Sequence, residues 1–169
     1  MKKKKGGGGG GAVWLRRGYK PRRGPESSAK YTPGKVFVAM AFGRSHEKSK
    51  AYQAVVHACE RNGLSPSRVD EIADSGPINI QVVDGIEESE FLIFDLTRER
   101  PNVYYELGYA HGVGNRPEDI ILIARKATKI HFDIMSLRVL FYDSPTDLEE
   151  NLDIRLRELL AFHRKNAGA

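Results

Sequence analysis

Residues 90–112 read EFLIFDLTRERPNVYYELGYAHG, which predicts a strand, a polar loop and a helix in succession. The apolar run from Phe91 to Phe94 is too short for a helix and typical of a strand buried on both faces of a parallel sheet. A helical pattern begins near Asn102, with apolar residues spaced to form one helix face. Because open α/β sheets bind ligands at the carboxyl ends of their strands, the loop between the two elements is a candidate site.

Two carboxylates flank this loop. Asp95 ends the strand, and Glu106 falls within the first turn or so of the predicted helix. Backbone N–H groups and the helix dipole favour an ionised carboxylate there. We therefore expect Asp95 and Glu106 to converge on one crevice, with Glu106 held as an anion. The spacing is equally compatible with a structural role, in which Asp95 caps a turn and Glu106 only complements the dipole.

A pair of carboxylates suits cleavage of a glycosidic bond. Its transition state resembles an oxocarbenium ion, so one carboxylate attacks or stabilises the anomeric carbon while a second group handles the leaving atom. Asp95 and Glu106 would fill these two roles.

Strand and helix patterns alternate along the rest of the chain, which predicts a parallel sheet with helices on both faces. Residues 125–137 are expected to be irregular. The strand patterns cover 35–42, 67–72, 119–124 and 138–142, and the helical patterns cover 46–62, 78–89 and 146–163.

The net charge of +5 is unevenly distributed. Residues 1–35 hold eleven Lys/Arg and one Glu, a charge of +10, which leaves −5 for residues 36–169. Residues 1–34, with their lysine and glycine runs, are expected to be a disordered basic arm. A tail that contacts nucleic acid is one interpretation, but we favour a solvated extension because charge runs are usually solvated.

Composition also bears on location. The single cysteine, Cys59, excludes an internal disulfide framework and suits a reducing compartment. No apolar run approaches the roughly 20 residues of a membrane span, and glycines replace the apolar core of a secretory signal. We expect a cytoplasmic protein without a membrane partner.

Weaker candidates surround the two carboxylates. Asp70 could hold a ribose hydroxyl near the turn at Gly76, although a solvated strand end is the favoured interpretation. Tyr105 could stack on a base. Arg98 and Arg100, in the loop, suit a phosphate because guanidinium pairs with phosphate in a bidentate manner. The histidines lack metal-ligand spacing, so we predict no bound metal.

Residues 35–142 resemble the nucleoside 2-deoxyribosyltransferase superfamily, in particular its bacterial branch of Toll/interleukin-receptor-like (TIR-like) nucleotide-binding domains. The Glu-Leu-Gly at 106–108 is the most specific part of the match. The matching segments are VFVAMAF at 36–42, RVDEI at 68–72, DLT at 95–97, PNVYYELGYAH at 101–111 and FDI at 132–134.

The resemblance implies roles for particular residues. Glu106 occupies the position of the nucleophile that attacks C1′ of the sugar, and Asp95 that of an aspartate near the sugar and base. Phe42 lies where the transferases often place an aromatic residue beside the substrate. The approach to the glutamate departs from the family's glycine-rich pattern, because it carries Arg98 and Asn102.

We therefore expect a flavodoxin-like three-layer α/β sandwich of about five parallel strands over residues 35–165. Its crevice would be lined by Phe42, Asp70, Asp95, Asn102 and Glu106. The expected function is an N-glycosidase or N-deoxyribosyltransferase, a hydrolase or transferase that acts on a nucleoside, a nucleotide or an NAD-like dinucleotide without a cofactor. The alternative is a non-catalytic nucleotide-binding sensor in a defence or signalling system. The resemblance leaves a homodimer open.

Overall fold

The computed structural model describes residues 31–41, 50–68, 78–134 and 137–167. Most of the predicted arm, together with Phe42, Asp70 and Gly76, lies outside these ranges. The described strands are β1 (Thr32–Ala39), β2 (Ser65–Ser67), β3 (Ser89–Asp95), β4 (Ile120–Arg125) and β5 (Val139–Tyr142). The described helices are α1 (Lys50–Arg61), α2 (Ile78–Glu88), α3 (Pro101–Gly112) and α4 (Pro145–Ala167).

The five strands form one parallel sheet in the order β2-β1-β3-β4-β5. This is the flavodoxin-like order, so the predicted fold class is confirmed. The order in which strands are added reverses after β2: β2 lies on one side of β1, and β3 to β5 lie on the other. In parallel sheets, such a switch point between β1 and β3 leaves a crevice outside the carboxyl ends of the strands.

The central strand β3 is buried on both faces, as its apolar run predicts. Phe91 and Ile93 pack in a core with α1 and α4, whereas Leu92 and Phe94 pack in a second core with α2 and α3. Successive side chains on a strand point to opposite faces, so one short run fills the centre of both layers.

Several boundaries differ from the predicted ones. β1 begins at Thr32, three residues early, and β2 covers Ser65–Ser67 rather than 67–72, whose last four positions lie outside the described residues. α3 begins at Pro101, because a proline at the first helical position has the required φ and lacks only an N–H that the helix would leave unbonded.

Within the described residues, no helix is long and apolar enough to cross a bilayer.

Candidate functional site

A cleft of about 310 Å³ opens at the carboxyl end of β1, between α2 and α3. Of the residues that the sequence nominated, the cleft brings together Glu106 and Asn102. Its floor comes from β1, and one wall comes from the first half of α3. The lining consists of Phe37, Val38, Ala39, Met40, Ala41, Arg68, Val82, Arg100, Pro101, Asn102, Val103 and Glu106.

Glu106 differs from its predicted state. Counted from Pro101, it is the sixth residue of α3, and the first turn of this helix holds no acidic residue. The effect of the helix dipole falls off within the first turn, so it gives Glu106 little support as an anion. Burial instead raises the pKa of the Glu106 carboxyl to about 7. Desolvation, which disfavours the anion, therefore outweighs the helix dipole that was expected to hold Glu106 as an anion.

Two arginines share the cleft with Glu106. Arg68, only 8% exposed, follows β2 directly, and its guanidinium carbon lies 4.4 Å from the centroid of the Tyr52 ring, a cation–π contact. Arg100 is the exposed N-cap residue of α3. Arg100 is one of the two loop arginines that the sequence linked to a phosphate, whereas Arg68 is not among the site residues predicted from the sequence. The strand-end rule could have indicated Arg68, since β2 neighbours β1 in the sheet.

Asp95 caps a turn. Its Oδ1 accepts a hydrogen bond of 2.9 Å from the backbone N–H of Thr97. The Thr97 hydroxyl lies 3.2 Å from the Tyr142 hydroxyl and accepts a 3.1 Å hydrogen bond from the backbone N–H of Arg125. Burial raises the pKa of Asp95, opposed by the Thr97 hydrogen bonds and by the charges of Arg98 and Arg125. The Asp95 carboxylate thus holds Thr97 in place, and the Thr97 hydroxyl links the end of β3 to β4 and β5.

The expected convergence of the two carboxylates is absent from the described cleft, whose lining does not include Asp95. Strand alternation places Asp95 on the face of Phe91 and Ile93, which is covered by α1 and α4. Glu106 belongs to α3, whose inner side packs on the opposite face. Position at a strand end is therefore a poor guide to which face a side chain occupies.

The remaining predicted residues are peripheral or not described. Arg98 is exposed and absent from the described lining, and Tyr105 is 76% exposed on the outer side of α3. Phe42, Asp70 and Gly76 lie outside the described residues. Within the described part of the chain, no group of three or more His, Cys, Asp or Glu side chains could hold a metal ion.

A hydrogen bond between the two flanking helices braces the cleft. The Tyr109 hydroxyl, one turn beyond Glu106 on α3, donates a 2.6 Å hydrogen bond to Glu87 Oε1 on α2. Gly85 on α2 lies so close to Phe37 that an added Cβ would sit 2.6 Å from the ring. Glycine there lets α2 approach β1 closely, so that Phe37 forms part of the cleft floor.

Comparisons with known proteins show the fold. No protein-family model and no curated protein sequence matches the chain. Among solved structures, the CMP N-glycosidase BcmB of Clostridium botulinum is similar, with a TM-score of 0.54 and 19% identity over 70% of this chain and 98% of that one.

Two larger proteins contain a similar unit. The E. coli constitutive lysine decarboxylase aligns with a TM-score of 0.50 and 11% identity, over 78% of this chain and 18% of that one. A mutant flavo di-iron protein of Thermotoga maritima aligns with a TM-score of 0.50 and 15% identity, over 79% and 37%. These likenesses show that the chain has a flavodoxin-like α/β fold, one that the CMP N-glycosidase shares.

Proposed function

We propose that this protein is an N-glycosidase or N-deoxyribosyltransferase that cleaves the base–sugar bond of a nucleotide, with Glu106 as the nucleophile. The observation that carries the proposal is the position of Glu106: a half-buried carboxyl with a pKa raised to about 7, on the wall of a cleft at the carboxyl edge of the sheet. Strongly perturbed carboxyls in clefts are frequent at catalytic sites. The similarity in fold to BcmB adds support, because BcmB is a CMP N-glycosidase.

The reaction would proceed in two steps. The ionised Glu106 carboxylate attacks C1′ of the sugar and forms a glycosyl ester, while the C1′–N bond breaks and the base leaves with the bonding electrons and takes up a proton. Water then attacks C1′ in a hydrolase, or a second base attacks in a transferase. The ester bond breaks, Glu106 leaves as a carboxylate, and the attacking group gives up one proton, which balances the proton that the first base takes up. A pKa near 7 leaves about half of the protein with an ionised nucleophile at neutral pH.

The arginines favour a phosphorylated substrate over a free nucleoside. Arg68 and Arg100 both line the cleft that holds Glu106. Guanidinium groups pair with phosphate in a bidentate manner, and burial strengthens such a pair. The N-terminus of α3, which begins beside Arg100, adds a favourable field for an anion.

A nucleotide-binding sensor without turnover is the second candidate. Two observations favour it: burial keeps much of Glu106 protonated near neutral pH, and Asp95 is absent from the described lining. A protonated Glu106 would donate a hydrogen bond to the ligand instead of attacking it. The cleft would then bind a nucleotide or a dinucleotide such as NAD and release no product.

A turnover screen separates the two candidates. Purified protein is incubated with cytidine, deoxycytidine, CMP, dCMP, other nucleotides and NAD, and free base or nicotinamide is measured by chromatography. Glu106→Gln is tested in parallel with Glu60→Gln, a control at an exposed glutamate of α1. Release by the parent and by the control but not by Glu106→Gln supports the glycosidase. If the Glu106→Gln variant still releases free base or nicotinamide, Glu106 is not the nucleophile. If the parent binds a nucleotide but releases no product, the sensor is supported.

A further inference from the structure

A second concavity lies at the amino ends of β4 and β5, away from the Glu106 cleft at the carboxyl end of β1. The first registered pair between β4 and β5 is Leu122 with Val139, so the first two residues of β4, Ile120 and Ile121, extend beyond β5. On that side they have no strand partner among the described residues. The result is a notch of about 670 Å³, and we call it the β4–β5 notch.

The walls of the β4–β5 notch combine an apolar surface with charged groups. Ile120, Leu122 and Val139 supply the apolar part. Arg138, immediately before β5, and Arg155, on α4, supply two guanidinium groups, and Glu118 supplies one carboxylate. Among the described lining residues, two guanidinium groups and one carboxylate give a net charge of +1, to which a neutral His111 adds nothing.

The two guanidinium groups are not strongly engaged with the protein. Arg138 is exposed and forms no ion pair within the described part of the chain. Arg155, which is partly buried, lies 3.5 Å from Glu158, which is 63% exposed, and an i,i+3 pair with one partner in solvent contributes little. Both arginines can therefore turn towards an anion in the notch without breaking a strong interaction.

His111 adds a polar group that is uncharged at neutral pH. Burial lowers the pKa of its imidazole, which favours the neutral ring. His111 lies on α3, five residues after Glu106, and the rise of about 1.5 Å per residue puts it roughly 7.5 Å further along the helix. One rigid helix thus borders both the cleft and the notch.

We propose that the β4–β5 notch is a second ligand site, for a small monoanion with an apolar body, such as an aromatic carboxylate. The carboxylate would lie between Arg138 and Arg155, and the ring would pack against Ile120 and Val139. The volume falls within the roughly 300–1,000 Å³ of ligand pockets in proteins. The net charge of the lining selects an anion over a neutral molecule of the same shape. The proposal is independent of what the Glu106 cleft does.

The test uses 2-naphthoate as the probe and the neutral 2-naphthamide as its matched comparison. Each is titrated into ¹⁵N-labelled full-length protein, and amide shifts are followed by NMR. We expect the shifts with naphthoate to cluster at Ile120, Ile121 and Val139 and to be much weaker with the amide. Shifts confined to the Glu106 cleft, or equal affinity for the two probes, would overturn the proposal.

Variants on the two arginines complete the test. Arg138→Gln combined with Arg155→Gln should weaken naphthoate binding at least about tenfold, because each removes a charge-assisted hydrogen bond. The control is Arg157→Gln, an exposed arginine of α4 that pairs with Asp153 and should bind as the parent does. If the double variant does not fold, Arg138→Gln alone gives the answer, since its side chain is exposed. Affinity that is unchanged in either arginine variant contradicts the site.

Discussion

Asp95 and Glu106 lie on opposite faces of the sheet, although only a short loop and the first half of α3 separate them in the chain. Asp95 bonds to the backbone of Thr97 on the α1/α4 side, whereas Glu106 lines the cleft between α2 and α3. Among the described residues, the lining of the cleft therefore holds one carboxyl group, Glu106, together with the guanidinium groups of Arg68 and Arg100.

Replacing Glu106 with Gln should change how stability depends on pH. The folded protein keeps the Glu106 proton up to about pH 7, whereas the unfolded chain loses it near 4.5. Between these values the folded state binds more protons, so this group makes the free energy of unfolding fall as pH rises, and its contribution is constant above pH 7. Urea unfolding of parent and variant from pH 4 to 8 should show the parent losing stability relative to Glu106→Gln. A constant difference would show that Glu106 titrates normally.

The rate of base release should rise with pH if Glu106 is the nucleophile. Attack on C1′ needs the carboxylate, so kcat/KM is expected to increase about tenfold per pH unit below 7 and to level off above it. The measurement is a pH profile on whichever nucleotide the screen identifies. A profile that is flat from pH 5 to 8 would contradict attack by a group with this pKa.

Arg100 and Arg98 form a matched pair two residues apart in the same loop. Arg100 lines the cleft and Arg98 does not, although both are exposed. Arg100→Ala should weaken the binding of a nucleotide about tenfold or more, because a charge-assisted hydrogen bond to phosphate is lost, and Arg98→Ala should have a much smaller effect. Calorimetric titration measures both. The reverse order would make Arg98, rather than Arg100, the phosphate ligand among the two loop arginines that the sequence nominates.

Asp95→Asn separates a capping role from an acid role. Asparagine keeps an oxygen that can accept the Thr97 N–H, so stability should change by less than about 1 kcal/mol, and base release should stay within a few-fold of the parent. Asp95→Ala, which removes the acceptor, should cost about 1–2 kcal/mol of unfolding free energy. A loss of turnover of a hundredfold or more in the folded Asp95→Asn variant would mean that Asp95 takes part in the chemistry.

Two helical glycines should respond oppositely to alanine. At Gly85 the new Cβ would clash with the Phe37 ring, and overpacking of this kind costs about 1–3 kcal/mol. At Gly108, on α3, a Cβ meets nothing within 4 Å, and alanine should stabilise the helix by about 0.5–1 kcal/mol. Thermal and urea unfolding give both values. Destabilisation by Gly108→Ala would show that this face of α3 packs against something else in solution.

Much of the fold could be predicted from local patterns. The run from Phe91 to Phe94 predicted a strand buried on both faces, and alternation predicted the parallel sheet, because both signals depend on neighbouring residues alone. The helical pattern that begins near Asn102 predicted the start of α3, at Pro101, to within one residue. Boundaries were less accurate for β1 and β2, whose extents depend on pairing with other strands.

By itself, the sequence determined the α/β class and the central strand, and it identified Glu106 as a candidate site residue. Each of these follows from residues close together in the chain. Only the tertiary structure decided that Asp95 bonds to Thr97 and is absent from the described lining, that Arg68 and Arg100 line the cleft, and that burial raises the pKa of Glu106 to about 7. The physical reason is that orientation and desolvation depend on residues far apart in sequence. The face that a strand-end side chain occupies is fixed by register and by the helix layer above it, and a pKa is fixed by the atoms that exclude water.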